Sequence, residues 1–109
     1  MREMLEDLIR KFNGKVASDS ALQSEIGDLT KTVLIELKDG TKYHFTLKDK
    51  HVAGLLDGGI DPADITISTD AETLRALILR EMGPFKAYAT GKIRLKGSLE
   101  DLARLRKFF

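Results

Sequence analysis

Residues 33 to 49 read VLIELKDGTKYHFTLKD, and this run constrains the fold more than any other in the chain. From Thr32 to Lys38 apolar and polar side chains alternate, with Val33, Ile35 and Leu37 on one face. From Lys42 to Lys48 they alternate again, with Tyr43, Phe45 and Leu47 on one face. A period of two predicts extended strands, and Asp39-Gly40 between them predicts a tight antiparallel hairpin. Such a hairpin has one oily face, which must be covered by something else in the chain.

The flanking sequence supplies the cover. Met4, Leu5, Leu8, Ile9 and Phe12 recur at helical spacing, which predicts an amphipathic helix over 2–12 ending near Asn13-Gly14. A shorter helix starting at Ser18 or Ser20 presents Leu22 and Ile26 and stops around Gly27. After the hairpin, Asp49-Lys50 predicts a second tight turn into a third strand around His51 to Leu56. Asp64 to Ser68 reads as a fourth, with Ile65 and Ile67 on one face. Thr69, with Glu72 completing a capping box, starts a helix whose stripe is Leu74, Leu77, Ile78 and Met82. Gly83-Pro84 breaks that helix and starts another, expected to turn Phe85, Tyr88 and Ala89 to one face. In the strand that follows, Ile93 and Leu95 point inward while Lys92, Arg94 and Lys96 point out; Ser98 then caps a last helix running to Phe108-Phe109. This order defines an α+β fold, a mostly antiparallel sheet of four to five strands with helices packed on one face. The opposite face, with Glu36, His44, Thr46, Arg94 and Lys96, is expected to meet water.

Composition narrows the function. At 109 residues, 42% hydrophobic and 32% charged, the chain reads as a single domain over 1–109, without linkers or repeats. No apolar run is long enough to span a bilayer, the first residues do not look like a signal peptide, and the expected location is the cytoplasm. The absence of cysteine excludes disulfides, thiolate metal sites and cysteine nucleophiles. His44 and His51 have no second ligand at a metal-binding spacing. No serine sits in a nucleophile elbow, and adjacent acids such as Glu100-Asp101 point apart on a helix. The glycines of VAGLLDGGID match no phosphate-binding loop. The chain is therefore expected to carry no catalytic residue, no metal and no cofactor, and not to be an enzyme. From Pro84 onward seven cations face only Glu100 and Asp101, a net +5 in a protein of net +1. Nucleic acid is set aside as a partner, because the aromatics are expected on the helix side of the sheet and away from these cations. An anionic membrane surface fits the charge.

The run DITISTDAETLRALILREMGPFKAYATGKIRLKGSLEDLARLRKFF, from Asp64 to the end, resembles the sterol carrier protein type 2 family of non-specific lipid-transfer domains. Asp64, Ile65, Thr66 and Ile67 occupy the family's strand motif, and Gly83, Phe85 and Ala87 its aromatic segment. Gly91, Lys92, Ile93, Leu95, Lys96 and Gly97 occupy its Gly-Lys-(Ile/Leu)-x-(Ile/Leu)-x-Gly motif. The upstream hairpin fits the family's order of elements, while the segment from His51 to Gly59 matches less well. The resemblance implies a hydrophobic tunnel between sheet and helices that carries fatty acid, fatty acyl-CoA, sterol or phospholipid, without catalysis. By position its wall would draw on Phe45, Leu77, Ile78, Met82, Phe85 and Tyr88, then Ile93, Leu95, Leu102 and Leu105. Phe108 and Phe109 would lie near an opening. The Ser-Lys-Leu type signal of peroxisomal members is replaced here by Phe-Phe.

Physics limits such a tunnel. Left empty at about 500 Å³, it would cost on the order of 12 kcal/mol, comparable with the whole stability of a small domain. The helices must collapse inward without ligand, or the protein must keep a lipid bound. A second reading uses the same fold as an interaction or homodimerisation module, with a filled core and the apolar chain end buried against a partner.

Overall fold

The computed structural model describes the backbone of residues 1–108 and the side chains of residues 1–104. Five helices and six strands follow in the order α1 (Arg2–Ser18), α2 (Ser20–Ile26), β1 (Lys31–Leu37), β2 (Lys42–Lys48), β3 (His51–Val52), β4 (Leu56–Asp57), β5 (Ile65–Thr69), α3 (Ala71–Ile78), α4 (Pro84–Ala89), β6 (Ile93–Gly97) and α5 (Leu99–Phe108). The sheet order is β3-β2-β1-β5-β6, with β4 also paired to β2. All pairs are antiparallel except β1 with β5. This is the α+β architecture expected from the order of elements.

Cross-strand register stacks the apolar positions into rows on the inner face. One row is Phe45, Val33 and Ile65, ending at Gly97; the next is Tyr43, Ile35, Ile67 and Leu95; a third is Leu37, Thr69 and Ile93. The core forms where Leu5, Ile9, Phe12 and Val16 of α1, with Leu22 and Ile26 of α2, meet these rows. At Gly97 an added Cβ would lie 2.8 Å from the Asp64 carbonyl oxygen. Only glycine lets β6 run this close to the start of β5.

Several local expectations are corrected. Helix α1 does not end at Asn13-Gly14 but continues to Ser18, because Val16 extends the buried stripe one turn beyond Phe12. Asn13 acts instead on the sheet: its Nδ2 donates to the Val52 carbonyl at 2.8 Å, and its Oδ1 accepts from the Val52 N–H at 2.9 Å. The amide thus stands in for a neighbouring strand at the sheet edge and occupies hydrogen-bonding groups that would otherwise be open. Asp19, rather than a serine, caps α2 by accepting from the Leu22 N–H. The third strand is split at Gly54 into β3 and β4, with Leu55 buried between them.

Helix α3 begins after Asp70, not at Thr69. Thr69 is the last residue of β5, and its hydroxyl donates inward to the Lys92 carbonyl at 2.8 Å. Asp70 accepts from the Thr73 N–H at 2.7 Å and from its hydroxyl at 2.8 Å, and these bonds hold its carboxyl below the ordinary value. Helix α3 ends in a Schellman arrangement: Arg80 takes a left-handed φ of 61°, its N–H donates to the Leu77 carbonyl, and that of Glu81 to Ala76. Met82 therefore lies in the α3–α4 turn and not on a helix.

The outer face of the sheet is only partly open to water. The segment 58–64 folds back across it, tied by the Gly58 N–H to the Lys42 carbonyl, by a bond between His44 Nδ1 and the Gly58 carbonyl, and by Asp64 to Thr32. Leu34, on that face, is buried against this segment, and Gly59 lies close to its side chain.

Asn13→Ala should cost roughly 1–3 kcal/mol in urea denaturation at neutral pH, since it leaves part-buried Val52 groups without their partner. Hydrogen exchange of the Val52 amide should accelerate more than that of β1 amides.

Candidate functional site

The inner face of the sheet is the one large apolar surface the fold must cover, and its cover is uneven. Helices α1 and α2 meet it with large buried side chains. Helix α5 does not. Leu102 packs against the core from α5, but Leu99 is 88% exposed, and the buried residue of its first turn is an acid, Asp101.

Asp101 is held by three groups. Lys31 Nζ, from the first residue of β1, lies 3.0 Å from Oδ1 and 3.3 Å from Oδ2; Arg104 Nη1 lies 3.1 Å from Oδ1. The Asp101 N–H donates to Ser98 Oγ at 3.0 Å, closing the N-terminus of the helix. Burial pushes the Asp101 carboxyl up, but the hydrogen bond and charge of Lys31, with Ser98 and Arg104, outweigh it and hold the group below its ordinary value. Helix α5 is thus fastened to the start of β1 by an ion pair spanning 70 positions of sequence.

Beside this fastening lies an interior cavity of about 40 Å³. Its wall is the Phe45, Val33 and Ile65 row with Phe12, Leu47 and Val52, and its polar rim is Lys31, Asp101 and Arg104. At about 10–15 Å³ per water it could admit a few water molecules, and it is far below the ~300–1,000 Å³ of a ligand pocket. At ~24 cal/mol per Å³ a void of this size costs about 1 kcal/mol, which a small domain tolerates. The larger depression, an open groove of about 750 Å³, lies on the outer face under segment 58–64 and is mostly polar.

The residues expected to form a tunnel wall divide into groups. Phe45 is buried and lines the cavity. Ile93 is buried and Leu95 half-buried on the inner face of β6, the latter opposite Ile67. Leu77, Ile78 and Met82 are half-buried, and Ile78 and Leu102 pack against the core. Phe85 and Tyr88 are not turned inward: they are 64% and 60% exposed, and Ala87 at 0% is the residue that α4 buries. A small side chain there seats α4 close to β6, which leaves the aromatics on the far side of the helix. The side chains of Leu105, Phe108 and Phe109 lie outside the described residues. Sequence reasoning missed Lys31, Asp101 and Arg104; their one signal was an acid at the third position after the capping Ser98.

The sequence profile of the SCP-2 sterol transfer family matches residues 5–109, and the chain belongs to that family. No curated protein sequence matches it. Among solved structures, palmitated SCP2L2 from Aedes aegypti is similar with a TM-score of 0.61 at 20% identity, over 94% of this chain and 90% of that one. The apo form of sterol carrier protein 2 from Yarrowia lipolytica gives 0.64 at 18%, over 94% and 92%. The stereoselective inverting sec-alkylsulfatase Pisa1 from Pseudomonas sp. gives 0.60 at 22% over 69% of this chain, which spans only 12% of that enzyme. At these identities the shared property is the fold. Among the described residues no helix is long and apolar enough to cross a membrane.

Asp101→Asn should destabilise the protein by about 2–3 kcal/mol at pH 7, less than for a fully buried pair because Lys31 and Arg104 keep part of their side chains in water. The folded carboxyl titrates below its unfolded value, so its contribution is complete above about pH 4 and is lost as pH falls through the lowered folded value. Denaturation series at pH 7 and pH 3 should therefore show the gap between wild type and Asp101→Asn narrowing in acid.

Proposed function

We propose that the protein binds and carries lipids with a long apolar body (fatty acid, fatty acyl-CoA, sterol-like lipid or phospholipid) on the inner face of its sheet, without catalysing a reaction. The observation that carries this reading is the apolar inner face of the sheet, over which the described first turns of α5 (side chains 99–104) contribute Leu102 and the buried, ion-paired Asp101. Family membership and the likeness to palmitated SCP2L2 support it.

The cavity beside Asp101 is only about 40 Å³, so on this reading a lipid enters by displacing helix from sheet. Opening costs the contacts of α5, Leu102 and Ile78. An acyl chain returns roughly 0.8 kcal/mol per methylene buried, so ten to twelve methylenes outweigh several kcal/mol of lost packing. The wall then includes Phe45, Ile93, Leu95, Leu77, Ile78, Met82, Leu102 and Leu105. Phe108 lies toward the opening, and Phe85 and Tyr88 sit at the outer margin. Because the inner rows are mostly apolar, selection is by size and shape more than by polar contacts.

A second reading, a protein-interaction or homodimerisation module with a filled core, is favoured by the small cavity and by the exposure of Leu99. Uptake separates the two. Delipidated protein should bind a fluorescent long-chain fatty acid at a 1:1 ratio, and Asp101→Asn should take it up several-fold faster because the closed state is weakened. A folded, delipidated protein that takes up neither fatty acid nor a fluorescent sterol, and sediments as a dimer, would be a module instead.

A further inference from the structure

The helix α4 is built to present apolar surface outward. It has six residues, and Ala87 fixes which side faces β6. At 100° per residue Phe85 then lies about 200° from Ala87, almost directly opposite, with Tyr88 one turn along on the same exposed side. Leu79, 49% exposed, extends the surface onto the α3–α4 turn. Two large aromatics at these exposures on one short helix, with an exposed leucine at the end of the preceding helix, are not a scattered surface residue of the ordinary kind.

The charge around this surface is predominantly positive. Arg80 lies in the turn, Lys86 on α4, and Lys92 just beyond it, its N–H bonded to the Ala87 carbonyl at 2.9 Å. Arg94 and Lys96 follow on the outer face of β6. Between residues 79 and 97 the one acid is Glu81. None of these five cations enters an ion pair among the described residues, whereas Arg2, Lys31 and Arg104 all do. All five are exposed and can meet an external anion.

We propose that α4 and the α3–α4 turn form a docking surface for an anionic lipid bilayer. Phe85, Tyr88 and Leu79 enter the interfacial region, and Arg80, Lys86 and Lys92 meet the headgroups. An aromatic tip with a polar hydroxyl in Tyr88, ringed by long cations, matches the chemistry of the membrane interface. It suits a bilayer better than a protein pocket because the surface is a single helix of six residues, which buries little area against a rigid partner. The same corner carries Ile78 and Met82, so docking would bring one wall of the lipid site to the membrane; that consequence rests on the carrier reading, and the docking does not.

The protein contains no tryptophan, so Phe85→Trp places a single reporter at the tip. Its emission should shift to the blue with vesicles of phosphatidylcholine and phosphatidylglycerol and stay unchanged with phosphatidylcholine alone. In vesicle co-sedimentation, Phe85→Ser should lower partition about tenfold or more, since most of a phenyl ring's transfer free energy is lost. Lys86→Gln and Lys92→Gln should each lower it roughly fivefold and reduce its dependence on salt. Circular dichroism of each variant must match wild type, as expected for exposed positions. Wild-type protein that stays in the supernatant, a Phe85→Ser variant that binds like wild type, or a reporter already blue-shifted in a dimer without vesicles would each overturn the proposal. Uptake of a soluble fluorescent fatty acid in the same preparations separates this result from the carrier reading, since docking requires no cargo and cargo uptake requires no bilayer.

Discussion

One buried carboxylate, Asp101, decides how the apolar face of this sheet is closed. A helix placed over an oily surface is ordinarily held by its own apolar stripe. In α5 the stripe is thin over the described residues, and the first turn is secured by Lys31 and Arg104 on a single acid. An ion pair of this kind is directional and breaks as a unit, whereas apolar packing loosens by degrees. Desolvating the partners absorbs much of their attraction, so the pair fixes where the helix sits more than it adds to stability.

Closure and exposure are two sides of the same arrangement. Among the described residues the cavity beside Asp101 is small, about 40 Å³, while Phe85, Tyr88 and Leu99 remain largely exposed. A domain of 109 residues cannot keep a wide empty tunnel, because the void would cancel much of its stability. Apolar surface that would suit a lipid is divided between rows beneath the helices and side chains at the α3–α4 corner and on α5. The exposed cations of that corner belong to the same distribution, since β6 carries its charge on the face away from the core.

Much of the scaffold was legible in the residues. The β1–β2 hairpin, β5, β6 and the positions of five helices follow from period and from turn residues, which act over a few positions. Both the Asp39-Gly40 turn and the Pro84 start of α4 behave as their chemistry requires. The misreadings have a common origin. Asn13-Gly14 carries the local mark of a helix end, yet α1 continues, because the partner that uses Asn13 is Val52, 39 positions away. In α4, apolar residues lie on both sides of a six-residue helix, so period alone could not choose between Ala87 and the aromatics. The choice was made by the distance at which α4 packs on β6.

By itself the sequence determined the α+β order, the one-sided sheet and the identity of the inward rows, since each depends on neighbours two to four positions apart. Its motifs also pointed to the SCP-2 family before any three-dimensional comparison. Only the tertiary structure decided that Asp101 meets Lys31, that Phe85 and Tyr88 face out, that segment 58–64 covers Leu34, and that the cavity beside Asp101 is small. Each of those outcomes is settled by groups distant in sequence competing for the same space, and periodicity carries no record of that competition.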